Sequence, residues 1–244
     1  MSASSRVHNQ PAWLLHHRPF RDSSRILDIF SQDYGLISLV ARGSRSGRSK
    51  LKGILRPFFP LQISWIMRSD LGTLTGAEMG GVPISLGGEA LLSGYYVNEL
   101  ILNFLHRHDP QPEIFSVYEA TINRLNDSDG VSSTLRRFEI ETLALLGYAV
   151  NLDHDTKTGL ELTGDLTYEY FVEQGPTVTK ICDGPMTFLG SELQAIARYD
   201  FSDPATVKNA GRLLRHIITW YLNGKELQSR KVLKAMRSTA ERVV

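Results

Sequence analysis

The chain has 244 residues, 42% of them hydrophobic and 22% charged, with a formal net charge of +1. This composition predicts a soluble globular protein of one large or two modest domains, and no apolar run approaches the roughly 20 residues a membrane-spanning helix needs. No apolar segment with a small-residue cleavage site opens the chain, and the single Cys182 can form neither an internal disulfide nor a thiolate zinc site, so a cytoplasmic, reducing location is expected.

In chain order, residues 13–76 read as short strands punctuated by turns. Ile26 to Phe30 precedes the turn Asp33-Tyr34-Gly35, Leu36 to Ala41 follows it, and Leu61, Ile63, Trp65 and Met67 recur every second residue. A period of two puts one face in a core and the other in solvent. Gly72, Gly76, Gly80 and Gly81 with Pro83 are expected to form a loop, which places a domain boundary between residues 82 and 83. Beyond it the period changes to three and four. Leu91 to Leu105 and Leu135 to Leu146 are predicted amphipathic helices, and Asp203-Pro204 opens a third that runs through Leu214, Ile217, Ile218 and Tyr221 and stops at Gly224. Residues 153–190 break into Gly, Thr and Asp with a β-like piece at Leu166 to Val172, predicting a small irregular insertion in a helical domain over 83–244.

Charge divides the chain as sharply as periodicity does. Residues 1–69 hold eleven Lys and Arg against three acids, a balance of +8, whereas the remainder holds sixteen against twenty-three, a balance of −7. A basic front joined to an acidic back suggests a polyanion-binding module attached to something else. The sharpest feature is ARGSRSGRSKLKGILRPF. Arg42, Arg45, Arg48, Lys50, Lys52 and Arg56 lie within fifteen residues, and no Asp or Glu occurs from Tyr34 to Arg68. One-signed charge on a Ser- and Gly-rich loop fits phosphate binding better than a merely solvated loop. The loop fails as a nucleotide P-loop, since three residues rather than four separate Gly43 from Gly47 and Arg48 follows where Lys is required. His16-His17, His106-Arg107-His108-Asp109 and His154-Asp155 lack metal-ligand spacing, and no paired carboxylates suggest an acid and a base. No cofactor or catalytic residue is therefore expected. Trp13, Phe20, Phe30, Tyr34, Phe58, Phe59 and Trp65 are dense in the basic region; a small β domain needs most of them as core, with base stacking open to the rest.

Four segments together resemble the RecO family of bacterial DNA repair proteins: RPFRDSSRILDIFSQDYGLISLVARGSRSGRSKLKGILRPFFPL, SGYYVNELI, LRRFEIETLALLGYAVNLDHD and NGKELQSRKVL. The resemblance spans nearly the whole chain. It implies an N-terminal OB-fold β-barrel followed by an α-helical domain, binding of single- and double-stranded DNA, annealing of complementary strands, and cooperation with RecR in loading RecA onto DNA coated by the single-stranded DNA-binding protein SSB. A basic barrel alone would fit a generic RNA- or translation-associated protein equally well, and the helical segments favour the first reading. The sequence departs from the family where many members carry zinc-binding cysteines. After the LGY segment, Asp155 and Thr158 stand where the first cysteine pair would be, and Cys182 lies alone, so no metal is expected. SSB tails end in an acidic stretch and a terminal phenylalanine carboxylate, which calls for guanidinium groups beside an apolar groove. Arg136 and Arg137, with Phe138 and Leu145 as groove lining, meet that description, Arg136 being favoured; ordinary ion pairs with Glu139 or Glu141 are the alternative.

Overall fold

The computed structural model describes residues 5–47, 49–127, 130–148, 150–232 and 235. The chain divides into two compact units, Met1–Asp129 together with Leu227–Val244, and Gly130–Glu226.

The first unit is built on five strands: β1 (Ser5–Phe20), β2 (Ser24–Ser31), β3 (Gly35–Ala41), β4 (Pro60–Met67) and β5 (Leu71–Met79). They close a barrel in the order β1-β2-β3-β5-β4, with a single helical turn, α1 (Leu51–Ile54), between β3 and β4. This is the OB-fold barrel. Closure depends on β1, which is long enough to pair β2 with its second half and β4 with its first, and which bends where the register shifts at Val7/Gln10 and Leu14/His16. The last gap closes through a short parallel pairing of Ser38–Val40 with Leu71–Thr73. The alternation read from the sequence puts Leu27, Ile29, Ile37, Leu39, Ile63 and Trp65 inside, with Leu14 from β1. Each such side chain contributes about 1.5–3 kcal/mol on burial.

Two features differ from expectation. Gly72 and Gly76 lie within β5 rather than in a loop. A Cβ at Gly72 would come within 2.8 Å of the Leu39 side chain and 2.9 Å of Met67 Sδ, so that glycine serves close strand packing, while Gly76 adjoins a bulge opposite Ser64. Gly35, by contrast, does the turn work predicted of it. Its φ is +64° and a Cβ there would overlap the Asp109 carbonyl oxygen at 2.0 Å.

Helices α2 (Gly88–Phe104) and α3 (Pro112–Asn126) belong to this same compact unit, although the hydrophobic period changes before them. They cover the outer row of the barrel formed by Trp13 and Phe30. Phe30 meets Phe115 and Tyr118 at 5.3 and 6.0 Å, and Trp13 meets Tyr118 at 5.6 Å between ring centroids. The SGYYVNELI segment of α2 is the junction. Gly94 lets the Phe58 ring approach to 2.8 Å of where a Cβ would stand. Asn98 Nδ2 donates to the Leu15 carbonyl (2.9 Å) while its Oδ1 accepts from the Tyr118 hydroxyl (2.8 Å). Burial pushes the Tyr118 phenol up, keeping it a donor. Glu99 accepts the backbone N–H groups of Gln228 and Ser229 (2.7 and 2.9 Å), and the Tyr96 hydroxyl accepts from Arg230 (2.9 Å). Residues 228–230 of the NGKELQSRKVL segment thus bond to the SGYYVNELI segment within the first unit.

The second unit comprises α4 (Val131–Leu145), β6 (Thr167–Phe171), β7 (Gly175–Val178), β8 (Thr187–Leu189), α5 (Gly190–Ala197) and α6 (Pro204–Tyr221). The Asp203 carboxylate caps α6 by accepting the Ala205 N–H (2.9 Å), Pro204 sits in its first turn, and Gly224 follows its end with φ +75°. Leu213, Leu214, Ile217 and Ile218 form its buried stripe. The stretch expected to be irregular holds a three-stranded antiparallel sheet, β7-β6-β8.

Candidate nucleic-acid interface

The basic loop leaves β3 at Ala41 and enters β4 at Pro60. Arg42, Arg45, Lys50, Lys52 and Arg56 are all exposed; Arg48 lies outside the described residues. The loop is less mobile than its glycines suggest. Ser44 and Leu55 are buried, and Leu51, Ile54 and Leu55 pack on the barrel core, so α1 plugs one end of the barrel and presents the cations outward. Nothing stands within 4 Å of a Cβ built at Gly43, Gly47 or Gly53, leaving room for close approach of a backbone ligand.

Beneath the loop lies a residue that sequence reasoning missed. Arg25, only 9% exposed, donates through Nε to Ser44 Oγ (3.2 Å), through Nη2 to the Ser44 carbonyl (3.2 Å) and through Nη1 to the Leu55 carbonyl (3.5 Å). Ser44 in turn donates to the Ala41 carbonyl (2.8 Å). One guanidinium therefore ties both ends of the loop. Among the described residues no carboxylate lies within ion-pair distance of it, and burial, then the neighbouring Arg45 charge, hold its pKa below the ordinary guanidinium range. It stays a cation nonetheless and adds to the field of the loop. The signal for it was present in β2, where Arg25 occupies an inward position opposite Ala41.

Of the seven aromatics in the basic region, Trp13, Phe30, Phe58 and Trp65 are buried. Phe20, Tyr34 and Phe59 keep exposed surface, with the Arg56 guanidinium over Phe59 and that of Arg21 over Phe20, each at 5.2 Å.

Arg136 and Arg137 belong to the second unit. Arg136, with its side chain 13% exposed, lies 3.0 Å from the fully buried carboxylate of Glu139, and its Nη1 stands 3.1 Å from where a Cβ at Gly211 would be. Arg137 is 37% exposed, sits 3.7 Å from Glu141 and stacks at 4.6 Å over the Tyr199 ring. Both ion pairs weighed from the sequence are therefore present. Phe138 cannot line an open groove, because helix packing buries it completely; Leu145 is exposed.

The zinc-site-like stretch does not suit a metal. The Asp155 Oδ1 accepts the N–H groups of Lys157 (2.8 Å) and Thr158 (2.9 Å) and the Thr158 hydroxyl (3.2 Å), while Oδ2 accepts the Val178 N–H (2.8 Å). Burial alone would raise the Asp155 pKa, but these donors more than offset it and hold the carboxyl below the usual range. A carboxylate thus ties the Asp155–Leu160 turn to β7 by hydrogen bonds. Cys182 is exposed and apart, and among the described residues no three His, Cys, Asp or Glu gather as a ligand set.

A closed barrel with a pinned cationic loop and an appended helical unit defines a protein of the OB-fold class, a barrel often used for oligonucleotides. Comparison with known proteins narrows this. Residues 4–81 match the family described as "Recombination protein O N terminal" and residues 87–231 that described as "Recombination protein O C terminal". The chain is similar to the DNA repair protein RecO of Azoarcus sp. (strain BH72), with 39% identity over 241 residues covering 97% of this chain and 99% of the relative. It is 40% identical to the RecO proteins of Dechloromonas aromatica and Nitrosococcus oceani, over 242 and 234 residues, which is 97% and 95% of this chain and 99% and 95% of those relatives. The chain belongs to the RecO family of DNA repair proteins.

Proposed function

We propose that this protein is a non-catalytic, cytoplasmic recombination mediator that binds single- and double-stranded DNA, anneals complementary strands and, with RecR, helps load RecA onto SSB-coated DNA. The observation carrying the reading is the acid-free cationic loop, five of whose basic side chains stand exposed on a scaffold tied down by Arg25. Such a loop binds polyanion phosphates with little sequence preference, which is what annealing of arbitrary complements requires. Arg42, Arg45, Arg48, Lys50, Lys52 and Arg56 are the phosphate contacts. The SSB tail docks on the second unit beside α4. Arg137, more exposed and stacked on Tyr199, is better placed than Arg136 to take its carboxylate, displacing Glu141. The test is annealing of complementary oligonucleotides coated with SSB. Acceleration without added nucleotide or metal is expected; DNA binding without annealing would leave a generic OB-fold binder as the better reading.

A further inference from the structure

OB folds commonly bind oligonucleotides on the wall of strands 2 and 3 and the adjoining loops. Here that wall is only partly open. Its row of Trp13, Phe30 and Leu36 is buried, Phe30 and Trp13 directly beneath α3. In the next row His16, Asp28 and Ser38 stand side by side, and the connection from α2 to α3 folds over them, bridging Leu36 to Arg107. The Asp28 carboxylate is buried and receives three cationic or ionisable groups: Arg107 Nη2 at 3.0 Å, His16 Nδ1 at 3.3 Å and Arg18 Nη1 at 3.8 Å. Above this row Arg18, Arg21 and Phe20 line the end of the wall nearest the basic loop, and Arg45 of that loop donates to the carbonyls of Arg21 and Asp22 (3.3 and 3.4 Å).

We infer that Arg18, Arg21 and Arg107, with Phe20 among them, form a second phosphate-binding segment that continues the basic loop across the β1–β2 turn toward the α2–α3 connection, so that a single strand follows this track instead of the covered wall. The inference deepens the DNA-binding reading and rests on it.

Charge and exposure support it. One buried carboxylate balances one cation, yet two guanidiniums and an imidazole surround it, with the Arg18 and Arg107 side chains 56% and 47% exposed. At 3.8 Å Arg18 is within ion-pair range of Asp28 but beyond a hydrogen bond, so its donors are not consumed there. Asp22 in the turn and Asp109 beyond Arg107 are the nearby acids that temper the field. The partly exposed Phe20 offers a face for an unstacked base, a contact single strands make and duplexes do not.

The experiment measures binding of a fluorescein-labelled oligothymidylate by anisotropy from 50 to 200 mM salt for the full chain, for Arg18→Ala/Arg21→Ala and for the loop variant Lys50→Ala/Lys52→Ala. Each pair is expected to flatten the slope of log K against log salt by about 1.4, two single-strand phosphates each, and Arg18→Lys/Arg21→Lys restores it. A wild-type slope in Arg18→Ala/Arg21→Ala with a flattened slope in the loop variant overturns the second segment and leaves the loop reading standing. The converse supports the segment and removes the loop; two unchanged slopes overturn both. Arg21→Ala alone, which leaves the Asp28 cluster intact, is expected to flatten the slope by about 0.7 and keeps the outcome readable if the double variant folds poorly.

Discussion

Two single residues hold segments that would otherwise wander, Arg25 by donating hydrogen bonds from its guanidinium and Asp155 by accepting them at its carboxylate. Replacing Arg25 by Met preserves volume but leaves the Ser44 and Leu55 carbonyls without their donor, about 1–3 kcal/mol of desolvation each if they stay buried. Because Arg25 touches no phosphate in the proposed interface, Arg25→Met is expected to weaken DNA binding about tenfold at fixed salt while leaving the salt slope unchanged, and to speed tryptic cleavage within residues 42–56. A flattened slope would instead make Arg25 a direct contact. Asp155 gives the pH counterpart. Its carboxyl is held below the ordinary value in the folded chain, so its stabilisation is complete above the unfolded value of about 3.9 and is lost as pH falls through the folded one. Asp155→Asn is therefore expected to melt lower than wild type at pH 7, by about 2 kcal/mol, with the difference shrinking below about pH 4. A difference independent of pH would show that charge is not what matters there. Elemental analysis of the purified protein is expected to find no stoichiometric zinc.

At the scale of elements, the period-two strands and the capped helix α6 were legible because their patterns are local. β5 was not, since its glycines are explained only by Leu39, Met67 and the bulge opposite Ser64, all contributed by other strands. The same distinction runs through the interface. A run of cations with no acid is a one-dimensional signal, whereas Arg25, Arg18 and Arg107 become meaningful only after β1, β2, β3 and the α2–α3 connection converge. For Arg136 the sequence supplies the charge but not its burial against Glu139. Packing at α2 yields a direct test. Gly94→Val would drive a side chain into Phe58 and Leu86, both within 2.8 Å of the new Cβ, and is expected to destabilise the protein by about 1–3 kcal/mol. Thermal denaturation with Gly94→Ala in parallel separates the size of the intrusion from any change in helix propensity.

Across the whole molecule, compactness and sequence order disagree. Residues 228–230 follow the second unit in sequence but bond to α2 of the first, through Glu99 and Tyr96, and Leu227 before them is buried. Truncation after Glu226 removes one buried leucine and the hydrogen bonds to Glu99, together about 4 kcal/mol, and is expected to lower the melting temperature by about 10 °C. An unshifted transition would mean that the returning segment contributes nothing to stability.

That return has a consequence for how the protein is made. Chains emerge from the ribosome at about 5–20 residues per second and domains tend to fold as they appear. The barrel strands are complete by Met79, yet the carboxylate of Glu99 receives its partners only when residues 228 and 229 have left the exit tunnel. The first unit therefore stays unsealed until residues 228 and 229 are free to fold back, and a product terminated before them carries a Glu99 carboxylate without these partners.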